Sequence, residues 1–391
     1  MRVGLLLLCL LGQGASAVDI SFLYYREQGS ATFRALLEEF SRDHNHQVTL
    51  YQITSESLKP SLIKSVLQGT AADVVFAPSD FVGIAEQGKF SEVPQALISQ
   101  KTNAEIQLTA SIDNTLYGIP ILQGNHLMLF YNRQLVKEPI TTWQSLLEQK
   151  NQFDEAGVAA IGWNYSEMYW FAGFYNTFGG RMTRGKLVTL NDPPMNDALN
   201  FYKSLATRGL VSSECTYDCG YKDFIEGKVA YAINGEWAVA DFEKHLGDDL
   251  GIALIPNIGK KAFRPLSSSL VLVFPDNSLD GPKAEALKQL SVFLQSEKVQ
   301  RVLYEKARFL PVDSQLISEI KANSDENESA MLAQLELAVP MSAEAAQGSA
   351  WIGLRKGFEL FNKGVIDANK AGEYMQQYAE RDYGQHLKNE N

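Results

Sequence analysis

Between residues 19 and 78 the chain alternates strand and helix patterns, and this constrains the fold more than any other feature. Residues 20–25 read as an apolar strand. Ser30 then caps a helix in which Phe33, Leu36, Leu37 and Phe40 recur at i, i+3, i+4 and i+7. A second strand over 48–53, a second helix over 58–68 stopped by Gly69, and a third strand over 73–76 closed by Pro78 complete a βαβαβ unit. Strands joined through helices run mostly parallel, with helices on both faces of the sheet. The chain has 391 residues, too many for one typical domain, so two lobes are expected.

A second constraint lies at residues 229–242. Val229 to Ile233 form an apolar strand, Asn234-Gly235 is a turn signal, and a helix then runs to Gly247 with Trp237 at its start. In open α/β sheets ligands sit beyond the carboxyl ends of strands, which is where Trp237 falls. Residues 161–180 add a dense aromatic stretch. Within it Phe171, Phe174 and Phe178 have the spacing of a buried helix face, while Glu167, Tyr169 and Trp170 stand at the helix start, open to either a core or a cleft reading. The tail after Ser329 reads as helical throughout, with Trp351 and Arg355 one turn apart on one face. Residues 323–329 are the most linker-like segment.

The address is written at the front. Arg2, the apolar run 3–11 and Ala15-Ser16-Ala17 form a secretory leader cleaved after Ala17, and roughly nine apolar residues cannot span a bilayer core of about 30 Å. No later stretch is long and apolar enough to embed the protein in a membrane. In an oxidising periplasm Cys215 and Cys219 are expected to close a local disulfide. The net charge of −11 argues against nucleic acid as a partner. The histidines have no zinc spacing, and there is no GxSxG, HExxH, P-loop or GxGxxG. Neither a cofactor nor a metal is expected. Glu27, Asp80, Glu167 and Glu236 could pair as acid and base, but scattered surface acids are the simpler reading. Aromatic rings beside planar polar groups suit a sugar, whose C–H faces stack while its hydroxyls bond at the edges.

The order of segments resembles the periplasmic maltose/maltodextrin-binding family, the solute-binding proteins of sugar ABC importers. The resemblance is carried by Gly-Lys-Val-Ala-Tyr-Ala-Ile-Asn-Gly-Glu-Trp-Ala from Gly227, by Leu-Tyr-Gly-Ile-Pro and Leu-Phe-Tyr-Asn-Arg within 116–133, by Glu167-Met-Tyr-Trp170, and by Ser-Ala-Trp-Ile-Gly-Leu-Arg ending at Arg355. It implies an α/β, two-lobed periplasmic binding protein of type II, with mixed, mostly parallel sheets flanked by helices and a ligand cleft at a hinge. Residues 18–124 plus 270–322 would form one lobe, and 125–269 plus 323–391 the other. Trp237, Trp351 and Tyr169 would be stacking platforms with Trp170 close by, Glu167 and Arg355 polar partners, and Glu27 and Asp80 contacts from the facing lobe. The chain departs from the family at Ala77, Phe81 and Gly124, with Asn125 acting for an absent glutamate, so maltose itself does not transfer. The resemblance implies a monomeric, non-enzymatic binder that closes on a sugar and docks on an inner-membrane ABC permease. A polyamine-like cation as ligand, a sensory handover to a membrane receptor or kinase, and a glycan hydrolase remain the rival readings.

Overall fold

The computed structural model describes residues 17–389; the expected leader lies outside the described residues, apart from Ala17. Two sheets organise these residues. The first contains β1 (Asp19–Tyr24), β2 (Gln47–Gln52), β3 (Val74–Pro78), β4 (Ile119–Gln123), β9 (Leu270–Val273) and β10 (Leu310–Pro311), in the order β10-β4-β9-β3-β1-β2. The second contains β5 (Leu127–Asn132), β6 (Ala159–Gly162), β7 (Val229–Gly235) and β8 (Leu250–Ala253), in the order β8-β5-β7-β6. Both are mixed. The βαβαβ unit gives the parallel pairs β1–β2 and β1–β3, whereas β9 returns antiparallel to β3 and β4. In the second sheet β7 runs parallel to β6 and antiparallel to β5. A crossover helix enforces parallel pairing; a strand that re-enters from the other sheet is under no such constraint.

Each sheet has its own core. Phe22, Tyr24, Phe33, Phe76 and Leu272 pack in the first, and Leu129, Trp163, Phe171, Tyr202 and Phe358 in the second. A third cluster bridges them, with Phe130 from the second sheet and Leu310 from the first packed beside Leu316 and Met331. The chain passes between the sheets at 124–126, at 254–269 and after β10.

Local details depart from the sequence expectations for identifiable reasons. Helix Ser30–His44 is preceded by Gly29 in the left-handed region, so Ser30 is its first residue and its side chain does not cap it. Residues 323–329 are a tight junction between helices Ser314–Asn323 and Glu326–Leu337, closed by an Asp325/Glu328 capping box. The tail is not helical throughout: Val339–Pro340 pairs in parallel with Leu266–Ser267 before helices Ala345–Asn362 and Ala368–Asn389. Those last helices pack closely at Gly357, where a Cβ would meet the Met375 side chain at 2.3 Å.

Candidate functional site

The carboxyl ends of β1, β3 and β7 face one cleft of about 1090 Å³. Behind β1 come Tyr25, Arg26 and Glu27; behind β3 come Asp80 and Phe81; behind β7 comes Trp237. Helix Met168–Phe178 adds Tyr169 and Trp170, with Glu167 at its N-cap, and helix Ala345–Asn362 adds Trp351. Residues more than a hundred positions apart in sequence thus share one wall.

Asn234-Gly235 is not the expected turn. Both residues stay in β7, and the chain bends instead in the single 3-10 turn Glu236–Ala238 before helix Val239–Leu246, which ends at Gly247. Gly235 has φ −97°, so no left-handed conformation requires it; the Trp237 ring does, since a Cβ there would lie 2.1 Å from it. Folded back over its own strand, Trp237 touches all three apolar clusters. Its indole N–H donates to the Tyr217 hydroxyl at 3.2 Å. Tyr217 sits inside the Cys215–Cys219 disulfide loop, whose Cα atoms are 5.6 Å apart, so the staple also supports a cleft residue.

The aromatic wall is continuous. Tyr169 stacks with Trp351 at 6.3 Å and 27°, and meets Trp237 edge-on at 6.2 Å. The Tyr169 hydroxyl donates to the Asn125 backbone carbonyl. Trp170 resolves toward the core: it is 5% exposed and donates its indole N–H to the Ile233 carbonyl at 2.8 Å, while still bordering the cleft.

The polar side holds an arrangement the sequence reading missed. Arg26 is 9% exposed and its Nη1 lies 3.8 Å from the Glu236 carboxylate, while its Nη2 donates to the Tyr25 hydroxyl and to Asn125 Oδ1 at 3.1 Å. Asn125 in turn donates to Ser268 Oγ at 2.8 Å, so its amide serves to tie Arg26 to the crossover segments. Burial pushes the Glu236 carboxyl up to about 7, against the opposing pull of Arg26 and of the Asn125 and Trp237 N–H groups. At 3.8 Å the ion pair is too long to repay the desolvation of a carboxylate that is 1% exposed. Burial likewise raises Asp80 to about 6, opposed by Lys59 and by a hydrogen bond from the Trp351 side chain. That bond joins the first sheet's rim to a helix of the second core. A carboxylate placed directly between a wholly buried strand and Trp237 was the available signal for the buried Arg26–Glu236 pair.

Of the expected site residues, Trp237, Trp351, Tyr169, Trp170, Glu167, Glu27, Asp80 and Asn125 line this cleft, together with Gln52, Thr54, Phe81 and Tyr217. Arg355 does not. It is exposed, one helical turn beyond Trp351, where the helix has already passed the rim.

Comparison with known proteins agrees with this architecture. The model of the family described as bacterial extracellular solute-binding protein matches residues 35–328. The chain is 23% identical over 355 residues to a maltooligosaccharide ABC transporter solute-binding lipoprotein of Streptococcus pneumoniae, covering 86% of this chain and 82% of that protein. It is 22% identical over 302 residues to the maltodextrin-binding protein MdxE of Bacillus subtilis, covering 73% and 71%. Its fold superposes with TM-score 0.85 and 25% identity on the maltose/maltodextrin-binding domain MalE of Bdellovibrio bacteriovorus bound to maltotriose, over 93% of this chain and 99% of that one. Two mixed sheets with a cleft at their strand ends, and a family match over most of the length, lead to one statement: the chain belongs to the bacterial extracellular solute-binding proteins.

Proposed function

We propose that this protein binds a sugar or short oligosaccharide in the periplasm and delivers it to an inner-membrane ABC permease, closing on the ligand about the segments that join its two sheets. The observation that carries the reading is the Tyr169–Trp237–Trp351 wall, which shares one cleft with Glu27 and Asp80. Rings offer flat apolar faces for pyranose C–H groups, and carboxylates accept from the hydroxyls at the edges. The volume of about 1090 Å³ exceeds the range of roughly 300–1,000 Å³ common for small-molecule pockets, leaving room for more than one ring. The names of the relatives, which bind maltooligosaccharides and maltodextrin, support the same ligand class. Residues 18–124 with 270–322 and residues 125–269 with 323–391 are the two lobes of this reading. No covalent step is required of any residue.

Tryptophan fluorescence titrated with mono- and oligosaccharides tests it. A saturable response to an oligosaccharide is expected. Trp237→Ala and Trp351→Ala should each weaken affinity by about 1–3 kcal/mol, roughly 5- to 150-fold. Unchanged affinity in both variants would remove the cleft assignment.

A further inference from the structure

We propose that residues 342–345 are a strap that latches the second lobe onto the first at the edge of the cleft, its seat on Gly83 setting how long a bound sugar is held; this rests on the sugar-binding, hinge-closure reading above. Between residues 341 and 346 the chain crosses from one core to the other and back. Met341 packs in the second sheet's core, Ala343 is buried in the first sheet's core at 4% exposure, and Ala346 returns to the second. The foot of the strap is fixed to its own lobe, since the Met341 N–H donates to the Ser267 carbonyl at 2.8 Å. Its far end is the start of helix Ala345–Asn362, where Gln347 Oε1 accepts from Thr183 Oγ1 at 3.2 Å.

The seat permits close approach. A Cβ on Gly83, in the 3-10 turn Ser79–Ile84, would lie 3.0 Å from the Ala343 carbonyl oxygen, 3.2 Å from that of Glu344 and 3.3 Å from Ala345 Cα. A Cβ on Gly348 would lie 3.2 Å from Lys59 Nζ, so a second glycine lets the lobes meet there. A small cavity lined by Lys59, Asp80, Gly83 and Gly348 remains beside these contacts. Among the described residues no hydrogen bond ties 342–345 to the first lobe; the strap bonds within its own lobe. A contact made by packing alone can part and re-form without stranding backbone groups. The strap also reaches the ligand site. Trp351 follows on the same helix, and its side chain donates to Asp80, which shares the 3-10 turn with Gly83. Seating the strap thus fixes the Trp351 ring against the first lobe's rim. Neither Gly83 nor Ala343 lines the main cleft, so both are positioning residues.

Small-angle scattering and stopped-flow release of maltotriose decide the matter on the full chain. In the wild type, saturation should lower the radius of gyration. Gly83→Val sets methyl groups against the Ala343 carbonyl, and Ala343→Asp puts a carboxylate into the first core. Each should shrink that fall in radius and speed maltotriose release at least about tenfold, with the association rate changed far less. Gly83→Ala, the milder overlap, should move both readouts in the same direction, and thermal melts establish which variants fold. Variants that melt lower yet close and release as the wild type does make the segment a fixed joint and overturn the latch. Faster release with an unchanged fall in radius also overturns it, because the loss then lies in the cleft itself. In both cases the sugar reading stands and only this inference falls. A wild type that neither binds maltotriose nor closes on it removes the sugar reading first, and this inference with it.

Discussion

Glu236 shows how one side chain couples the cleft to stability. In the folded protein its carboxyl titrates near 7, while the unfolded chain releases the proton near 4.5. Between those values the native state holds a proton that the unfolded state has lost, so unfolding becomes easier as pH rises, by up to about 3 kcal/mol over the window. Asp80, raised from 3.8 to about 6, acts in the same direction over its own window. Thermal midpoints should therefore be higher near pH 5 than near pH 7.5. Glu236→Gln should flatten that dependence, because an amide has no proton to lose. Parallel pH profiles for the two proteins would contradict the assignment.

At the scale of elements, two short pieces aim the aromatic wall. The strand β7 and the 3-10 turn after it leave room for the Trp237 ring only because Gly235 has no side chain. Gly235→Ala should push the ring out of place: the tryptophan emission should shift and oligosaccharide affinity should fall at least about tenfold. The stability loss should stay within about 1–3 kcal/mol, the usual range for overpacking. The disulfide loop steadies the same ring through Tyr217. Cys215→Ser with Cys219→Ser should cost about 2 kcal/mol or less, since so short a ring constrains the unfolded chain little. Its larger effect should be on affinity, measured by the same titration.

At the scale of the whole molecule, the two sheets are joined by few segments, and Gly124 sits in one of them with φ +108°. An L-residue there is strained whatever space surrounds it, so Gly124→Ala should lose about 1–3 kcal/mol. Small-angle scattering should show the radius of gyration falling when a bound oligosaccharide draws the sheets together, and an unchanged curve at saturation would count against closure.

Much of the architecture was legible from local pattern. The alternation over 19–78, the apolar strand over 229–233 and the helix that follows it and stops at Gly247 all follow from side-chain periodicity and stop signals, which act within a few residues. The disulfide was read from spacing, and Trp237 from its place after an apolar strand. What the tertiary structure alone decided involves distant partners. The antiparallel return of β9, the pairing of Val339–Pro340 with Leu266–Ser267, and the split of neighbouring Tyr169 and Trp170 between wall and core all depend on which surface arrives opposite. So does the separation of Trp351 from Arg355. The Arg26–Glu236 contact joins the segments that follow strands of two different sheets, and no local spacing encodes it. Local propensity and periodicity are properties of contiguous sequence, whereas burial, register between sheets and the electrostatics of a cleft exist only after remote segments have packed.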